Sequence, residues 1–491
     1  MKENALLIIL KIFFIKEGAS GQSMDRAKYL AKNTLIFALG NLGTKLINFF
    51  LVPLYTNVLT SREYGTVDLI FTICTFAIPV IILNIYESVM RFCLDKGADY
   101  NKIMSAGLCI LVTSFLSGMI LVILSKLYEP TSDYYVYVYL YAISSGIAQV
   151  LLCYLRGREY LVKYSIGNIL QALLIACFNL IFLLILRQGI KGYLLAFIFA
   201  NIVTGLYAFI VGDIFRVIKN FSIDRALSIS MIKYSVILIP NSFMWWIMNS
   251  VDRLMITSMV GVAATGIYAV ANKIPALISV ISTIFNQAFS YSAIREEDSD
   301  DKEEFSNNIF DYLLSIVIVA GILLIIFIKP FMKLYVSAAF FEAWVYIPPL
   351  IVGTCLLVLA TFLSTSYTVY KDSKGFLFSA TVGAVVNIIL SIFLIPIYEI
   401  MGAAVATAFS YFIVMVYRYF DTRKYIKIKV FTVKHTISLI SLLLTCVLIY
   451  TRFFIVNIIM SLFLALNLVL YKNNWKKFVH ILLGLTLKLN K

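Results

Sequence analysis

Residues 57–69 read NVLTSREYGTVDL and residues 258–270 read SMVGVAATGIYAV, 201 positions apart, each leading into an apolar run. Gly65 falls on Gly266 at the entry to that run. Further on, NLIFLLILRQGIKG (179–192) answers NIILSIFLIPIYEIMG (387–402). Asn179 matches Asn387, and Gly192 matches Gly402 at the start of the following apolar segment. The identity is weak, and apolar letters match easily by chance. Matched punctuation at the same helix ends is the better sign of a chain made of two similar halves.

The runs between these marks set the class of fold. Of 491 residues, 61% are hydrophobic and only 14% charged, against roughly 45–50% and 25% in ordinary soluble chains. A water-soluble protein could not hide so much apolar surface, so the expectation is an all-α integral membrane protein. Fourteen segments are long enough to span: 34–56, 66–90, 104–126, 134–154, 165–186, 193–214, 232–257, 264–291, 309–328, 344–370, 376–397, 402–420, 433–451 and 453–471. Six in each half is an even number, so both halves enter the membrane in the same orientation. The repeat is then parallel, about an axis along the membrane normal. The expected organisation is an N-terminal extension or misassigned start at 1–23, with Met24 as the alternative start. A six-helix lobe at 24–215 and a cytoplasmic linker at 216–231 follow. A second six-helix lobe occupies 232–420, and 421–491 carries a basic loop, two additional helices and a basic tail.

The positive charges orient this array. From residue 24, the segment before span 1 and every second connection after it hold 28 Lys and Arg, whereas the opposite connections hold seven. The positive-inside rule puts both termini in the cytoplasm. The net charge of +15 is then loop lysine and arginine facing anionic lipid, and needs no nucleic acid. The run YYVYVYLY (134–141) falls where span 4 meets the outer surface, the position of an aromatic belt. The acidic loop EEDSDDKEE (296–304) reads as solvated cytoplasmic chain.

The same sequence argues against several chemistries. There are two histidines, His435 and His480, so no histidine metal cage or triad lies within the bundle. Seven scattered cysteines have no C-x-x-C spacing and read as small core residues. No dinucleotide fingerprint, Walker A loop or nucleophile elbow occurs. The longest outer connection has about fifteen residues, too few for a catalytic domain. Neither a metal nor a cofactor is expected, and an enzyme is not.

Ionisable residues inside spans cost roughly 2.5–3.5 kcal/mol each on insertion scales and therefore turn to a wet cavity or a partner. Lys45 lies in span 1, Asp252 and Arg253 in span 7, and Lys273 in span 8; Asp68 and Glu87 lie near the two ends of span 2. Lys45, Arg253 and Lys273 facing one cavity would make a positive field suited to phosphate or pyrophosphate. The competing readings are ordinary: Arg253 pairs with Asp252 or a neighbouring carboxylate, Lys45 snorkels, and Asp68 and Glu87 sit at an interface. Asn48, Asn241, Asn249, Asn272 and Asn286 add polar groups compatible with sugar, or serve as helix–helix glue. Pro53, Pro79, Pro240 and Pro275 interrupt spans 1, 2, 7 and 8, as kinks or hinges.

The stretches AKNTLIFALGNLGTKLINFFLVPLYTNVLTSREYGTVDL (31–69), MWWIMNSVDRLMITSMVGVAATGIYAVANKIPALI (244–278) and NIILSIFLIPIYEIMGAAVATAFSYF (387–412) together resemble polysaccharide flippases of the Wzx type. These belong to the multidrug/oligosaccharidyl-lipid/polysaccharide (MOP) exporter superfamily. The resemblance covers residues 24 to about 420. It implies two six-helix bundles forming a V, like that of MATE exporters. It also implies movement of undecaprenyl-diphosphate-linked oligosaccharide, such as an O-antigen unit of lipopolysaccharide, from the cytoplasmic to the outer leaflet of a bacterial inner membrane. Cationic cavity residues in the family carry over to Lys273, and further to Arg253 and Lys45, with Asn48, Asn249 and Asn272 as polar lining. Asp68, Glu87 and Asp252 are candidates for proton or sodium coupling. The partners expected are the lipid-linked oligosaccharide, the bilayer and a polysaccharide polymerase complex. The rival readings are a multidrug exporter of the same superfamily and a membrane polysaccharide polymerase or ligase. The two helices beyond span 12 resemble longer family members.

Overall fold

A computed structural model describes residues 43–476 except 44, 96, 129–133, 281, 284, 287–301, 371 and 452. The starts at Met1 and Met24, most of the acidic loop and His480 lie outside the described residues. Among the described residues there is no strand. Among those residues, eight helices are long and apolar enough to cross a membrane. The protein is a multi-pass helical membrane protein.

The described residues pack as two compact units, one within Leu39–Gly266 and one from Ile267 onward. The first contains α1 (Val52–Val58), α2 (Ser61–Ile81), α3 (Ile85–Cys93), α4 (Tyr100–Tyr128), α5 (Tyr134–Gly157), α6 (Leu161–Asn179), α7 (Gly189–Val211), α8 (Ile214–Lys219) and α9 (Arg225–Met259). α10 (Val262–Ala271) spans the boundary between the units. The long helix α9, which contains expected span 7, packs on α2, α3 and α4. Sequence repetition assigns that span to the second half, whereas packing groups it with the helices of the first.

Local sequence explains where these helices start and break. Thr60 and Glu63 form a reciprocal capping box at the start of α2: the Thr60 hydroxyl accepts from Glu63 N–H at 3.2 Å, and the Glu63 carboxylate accepts from Thr60 N–H at 2.9 Å. Asp224 caps α9 by accepting the Ala226 and Leu227 N–H groups, both at 3.1 Å. Expected span 2 is broken. Pro79 cannot donate to the carbonyl of Thr75, and Leu83 and Asn84 adopt positive φ (50° and 54°) before α3 resumes the helix. The core of this unit gathers Cys74, Ile78 and Ile82 with Ile85, Val89, Leu151 and Tyr154, all buried. The tyrosine run at the start of α5 is more than a surface belt. Tyr139 donates to the Phe115 carbonyl at 2.6 Å, and Tyr141 packs edge-on against Phe71 at 4.7 Å.

The second unit contains α11 (Lys302–Tyr335), a 3-10 turn at Ala338–Val345, α12 (Ile347–Val369), α13 (Ser373–Thr422), α14 (Val433–Leu448) and α15 (Phe454–Leu470). α12 is its most enclosed helix, buried along nearly its whole length. α13 is two expected spans joined at Glu399 (φ 50°, ψ −126°). The additional helices are fastened to α11 at both ends. His435 Nε2 lies 2.7 Å from Asp311 Oδ1, and Lys329 Nζ donates to the Ile449 carbonyl at 2.8 Å. Arg418, near the end of expected span 12, is 4% exposed, its guanidinium donating to Ser379 Oγ and the Ala360 carbonyl, both at 3.0 Å.

The repeated punctuation has a structural meaning. A Cβ on Gly65 would lie 2.0 Å from the Val262 carbonyl oxygen, and one on Gly266 would lie 2.1 Å from the Ser61 carbonyl oxygen. Ser61 and Val262 are 201 residues apart, as are Gly65 and Gly266. Equivalent positions of the two repeats therefore touch each other reciprocally, the signature of a local two-fold contact. Similarly, Gly192 abuts the Phe182 carbonyl and Gly402 the Leu394 carbonyl, so each returning helix packs on the end of its predecessor where a side chain would clash. Asn179 and Asn387 are both buried, at 0% and 5% exposure. Their amides turn inward, Asn179 to Ile175 O at 2.7 Å and Asn387 to Thr407 Oγ1 at 3.4 Å.

Candidate functional site

α9 runs antiparallel to α2 and α3, and polar groups meet along the whole seam. Ser88 Oγ donates to the Met231 carbonyl at 3.0 Å, and Asn84 Nδ2 lies 3.5 Å from Ser242 Oγ. Trp246 Nε1 donates to the Thr72 carbonyl at 2.7 Å. Arg253 forms an ion pair with Asp68, Nε lying 3.1 Å from Oδ2, and its Nη1 lies 3.5 Å from Thr72 Oγ1. The spacings explain the alignment. Asp68, Thr72 and Phe76 lie four apart on one stripe of α2, and Trp246 and Arg253 lie seven apart on one face of α9.

The Arg253–Asp68 pair sits about six residues, or roughly 9 Å, from the end of α9. Both side chains are mostly enclosed, at 25% and 14% exposure. The pairing realises one of the ordinary readings of Arg253, with Asp68 one of the carboxylates that hold it. It also lowers the net positive field expected from a lone arginine. The guanidinium also reaches the Thr72 hydroxyl, so one side chain of α9 meets two polar residues of the same α2 stripe. Asp252, next in sequence, is 8% exposed.

Aromatic rings surround the pair. Trp246 stacks with Phe243 (6.2 Å between centroids, 13° between planes) and packs on Phe76 at 5.0 Å. Behind Asp68, Tyr55, Phe71, Tyr193 and Phe197 form a second cluster, with Tyr55 and Tyr193 4.7 Å apart. The sequence reading missed Thr72, Phe76, Phe243 and Trp246. Their signal was a shared stripe with the charged residues, visible only once α2 and α9 were known to be neighbours.

The other expected residues fall as follows. Lys45 and Asn48 are exposed in the helical stretch before α1. Glu87 is half-buried in the first turn of α3. The side chains of Asn241 and Asn249 lie outside the described residues. Lys273 is half-buried in the break at 272–274, where Pro275 withholds the N–H that would continue the helix. Asn272 and Asn286 serve local structure. Asn272 donates to the Tyr268 carbonyl at 2.8 Å, and Asn286 to Ser282 Oγ at 2.9 Å. Among the described residues, no group of three His, Cys, Asp or Glu is placed to hold a metal.

Comparison with known proteins places this geometry. A family described as "Polysaccharide biosynthesis protein" matches residues 30–294, more than half of the chain and the whole of the seam. No curated protein sequence matches. Among solved structures, the lipid II flippase MurJ in an inward closed conformation is similar over 92% of this chain and 99% of its own, with TM-score 0.62 and 16% identity. An inward-facing multidrug resistance MATE family transporter of the MOP superfamily is similar over 85% of this chain and 97% of its own, with TM-score 0.60 and 15% identity. A MOP superfamily transporter from Pyrococcus furiosus is similar over 81% and 95%, with TM-score 0.55 and 15% identity. The chain therefore belongs to the polysaccharide biosynthesis protein family and has the fold of the MOP-superfamily transporters.

Proposed function

We propose that this protein is a flippase that moves undecaprenyl-diphosphate-linked oligosaccharide units from the cytoplasmic to the outer leaflet of a bacterial inner membrane by alternating access. The observation that carries the reading is a guanidinium held inside an apolar bundle whose sequence belongs to a polysaccharide biosynthesis family. An oligosaccharide head cannot cross hydrocarbon, because each polar group without a partner costs several kcal/mol. The polyprenyl tail gains nothing by leaving lipid. The protein therefore supplies a polar path for the head while the tail remains in the bilayer. Arg253 offers planar donors to diphosphate oxygens, with Lys273 and Lys45 as further cations and Asn48, Asn249 and Asn272 as polar lining. No bond is made or broken, so the activity is transport and not catalysis.

Directionality comes from a gradient. One charge moved through 100 mV is worth roughly 2.3 kcal/mol. Asp68, Glu87 and Asp252 are the carboxylates available to proton or sodium coupling. An unchanged rate after collapse of each gradient separately removes that part of the reading. Both termini lie in the cytoplasm, where the basic tail can meet a polymerase complex.

The test is the sidedness of lipid-linked oligosaccharide in cells lacking this protein, probed with a membrane-impermeant sugar-modifying reagent. Complete units held on the cytoplasmic face support the flippase. Normal delivery to the outer leaflet overturns it and favours a multidrug exporter or a polymerase.

A further inference from the structure

We infer that Trp246, with Phe243 and Phe76, forms a shelf on which the first sugar of the lipid-linked substrate stacks while Arg253 holds its diphosphate. This inference rests on the flippase reading and names the part of the substrate that the seam recognises.

One residue joins the two functions. The Thr72 carbonyl accepts the Trp246 indole N–H at 2.7 Å, and the Thr72 hydroxyl lies 3.5 Å from Arg253 Nη1. The indole and the guanidinium are therefore fixed to the same turn of α2, two helical turns apart on α9, a spacing of about 10 Å along the axis. A diphosphate and the sugar bonded directly to it cover a similar length.

The chemistry of each end is also selective. The indole has spent its only donor on Thr72, so what Trp246 offers a ligand is its π face. That face suits the C–H side of a sugar ring, whose axial hydrogens are electropositive against the aromatic quadrupole. Phe243 stacks beside the indole with its plane 13° away, so the two rings present parallel faces, and Phe243 is 37% exposed. Phe76 backs the indole at 5.0 Å from α2. Such a shelf reads ring shape and not hydroxyl pattern, so it would serve any repeat unit whose first sugar presents an apolar face. An aliphatic or aromatic drug would stack there as well, but it would have no use for the guanidinium.

The experiment measures binding of two defined lipids to the full chain in nanodiscs: undecaprenyl diphosphate, and undecaprenyl diphosphate bearing one N-acetylglucosamine. The wild-type protein is expected to bind the sugar-bearing lipid roughly tenfold more tightly, the scale of one aromatic contact. Trp246→Leu should lose that gain while binding undecaprenyl diphosphate as the wild type does, and Trp246→Phe should keep most of it. Arg253→Gln should weaken both lipids alike. Phe243→Leu breaks no hydrogen bond to α2 and carries the same test should Trp246→Leu fail to fold. Equal wild-type affinity for the two lipids, or a full sugar gain in Trp246→Leu and Phe243→Leu, overturns the shelf and leaves the flippase reading standing. Binding of neither lipid overturns both.

Discussion

Replacing Gly65 and Gly266 by alanine, singly and together, tests the reciprocal helix contact directly. Each new Cβ would stand 2.0–2.1 Å from a backbone carbonyl oxygen, where contacts under 3.0 Å essentially never occur. The opposing atoms are backbone and cannot swing aside, so α2 and α10 must part by roughly 1 Å. Overpacking of this kind costs about 1–3 kcal/mol, and a clash with two backbones belongs at the upper end. Alanine repays about 1 kcal/mol through its better helix propensity. Each single variant should therefore lose about 2 kcal/mol. The double variant should lose no more than that, because one separation of the helices accommodates both methyl groups while the propensity gain is made twice. Independent sites would instead add to about 4 kcal/mol, so the expected coupling is about 2–3 kcal/mol. Equilibrium unfolding in mild detergent, followed by tryptophan fluorescence, measures all three values. Strict additivity, or single variants stabilised by about 1 kcal/mol, would refute the contact.

Asp68→Asn should destabilise the protein by about 3 kcal/mol, since it leaves an enclosed guanidinium without its carboxylate. Adding Arg253→Gln should restore part of that loss in the same unfolding assay yet leave glycan export defective. Lys273→Ala and Lys273→Arg at matched membrane expression should separate in an export assay, with only the arginine variant retaining transport; full export by Lys273→Ala removes this residue from the site. At the start of α13, the Gly375 N–H, the Tyr425 hydroxyl and Lys424 hold the Asp372 carboxyl below its usual range. The folded state binds this proton less readily than the unfolded chain, so the contribution is full above about pH 4 and is lost as pH falls further. Asp372→Asn should flatten the stability profile between pH 5 and pH 3, which thermal unfolding across that range would reveal. Asp311→Ala removes the carboxylate that receives His435 and should cost about 2 kcal/mol. Limited proteolysis should then cut the basic loop before α14 sooner than in the wild type.

Much of this architecture was legible in the sequence because a bilayer leaves so few options. Long apolar runs must be helices. Gly65 and Gly266 were visible as a repeat, but that they touch was not, since periodicity carries no information about which equivalent positions face each other. The break of span 2 at Leu83 and Asn84 was likewise hidden. Pro79 announced a kink, whereas two consecutive positive-φ residues depend on the packing around them. Arg253 was chosen correctly as a residue needing a partner, yet Asp68 is 185 positions away, and helix neighbours at that separation are a tertiary fact. The asparagines add a second case. Asn272 and Asn286 each spend a side-chain donor locally, on Tyr268 O and Ser282 Oγ, which their positions in the sequence do not reveal.

The seam between α9 and α2–α3 is unequally tight along its length. Where α9 passes into α10, the Gly65–Gly266 contact between α2 and α10 leaves no clearance, whereas at the opposite end Ser88 and Met231 are joined by one hydrogen bond of 3.0 Å. Some twenty-three residues separate Gly65 from Ser88, a lever arm of roughly 30 Å. A tilt of about 5° about the glycine fulcrum would swing the far end by roughly 2–3 Å, enough to open that bond while the pivot stays shut. The geometry amplifies small rotations at the glycine end into displacements at the Ser88–Met231 end, which has the greater freedom to part.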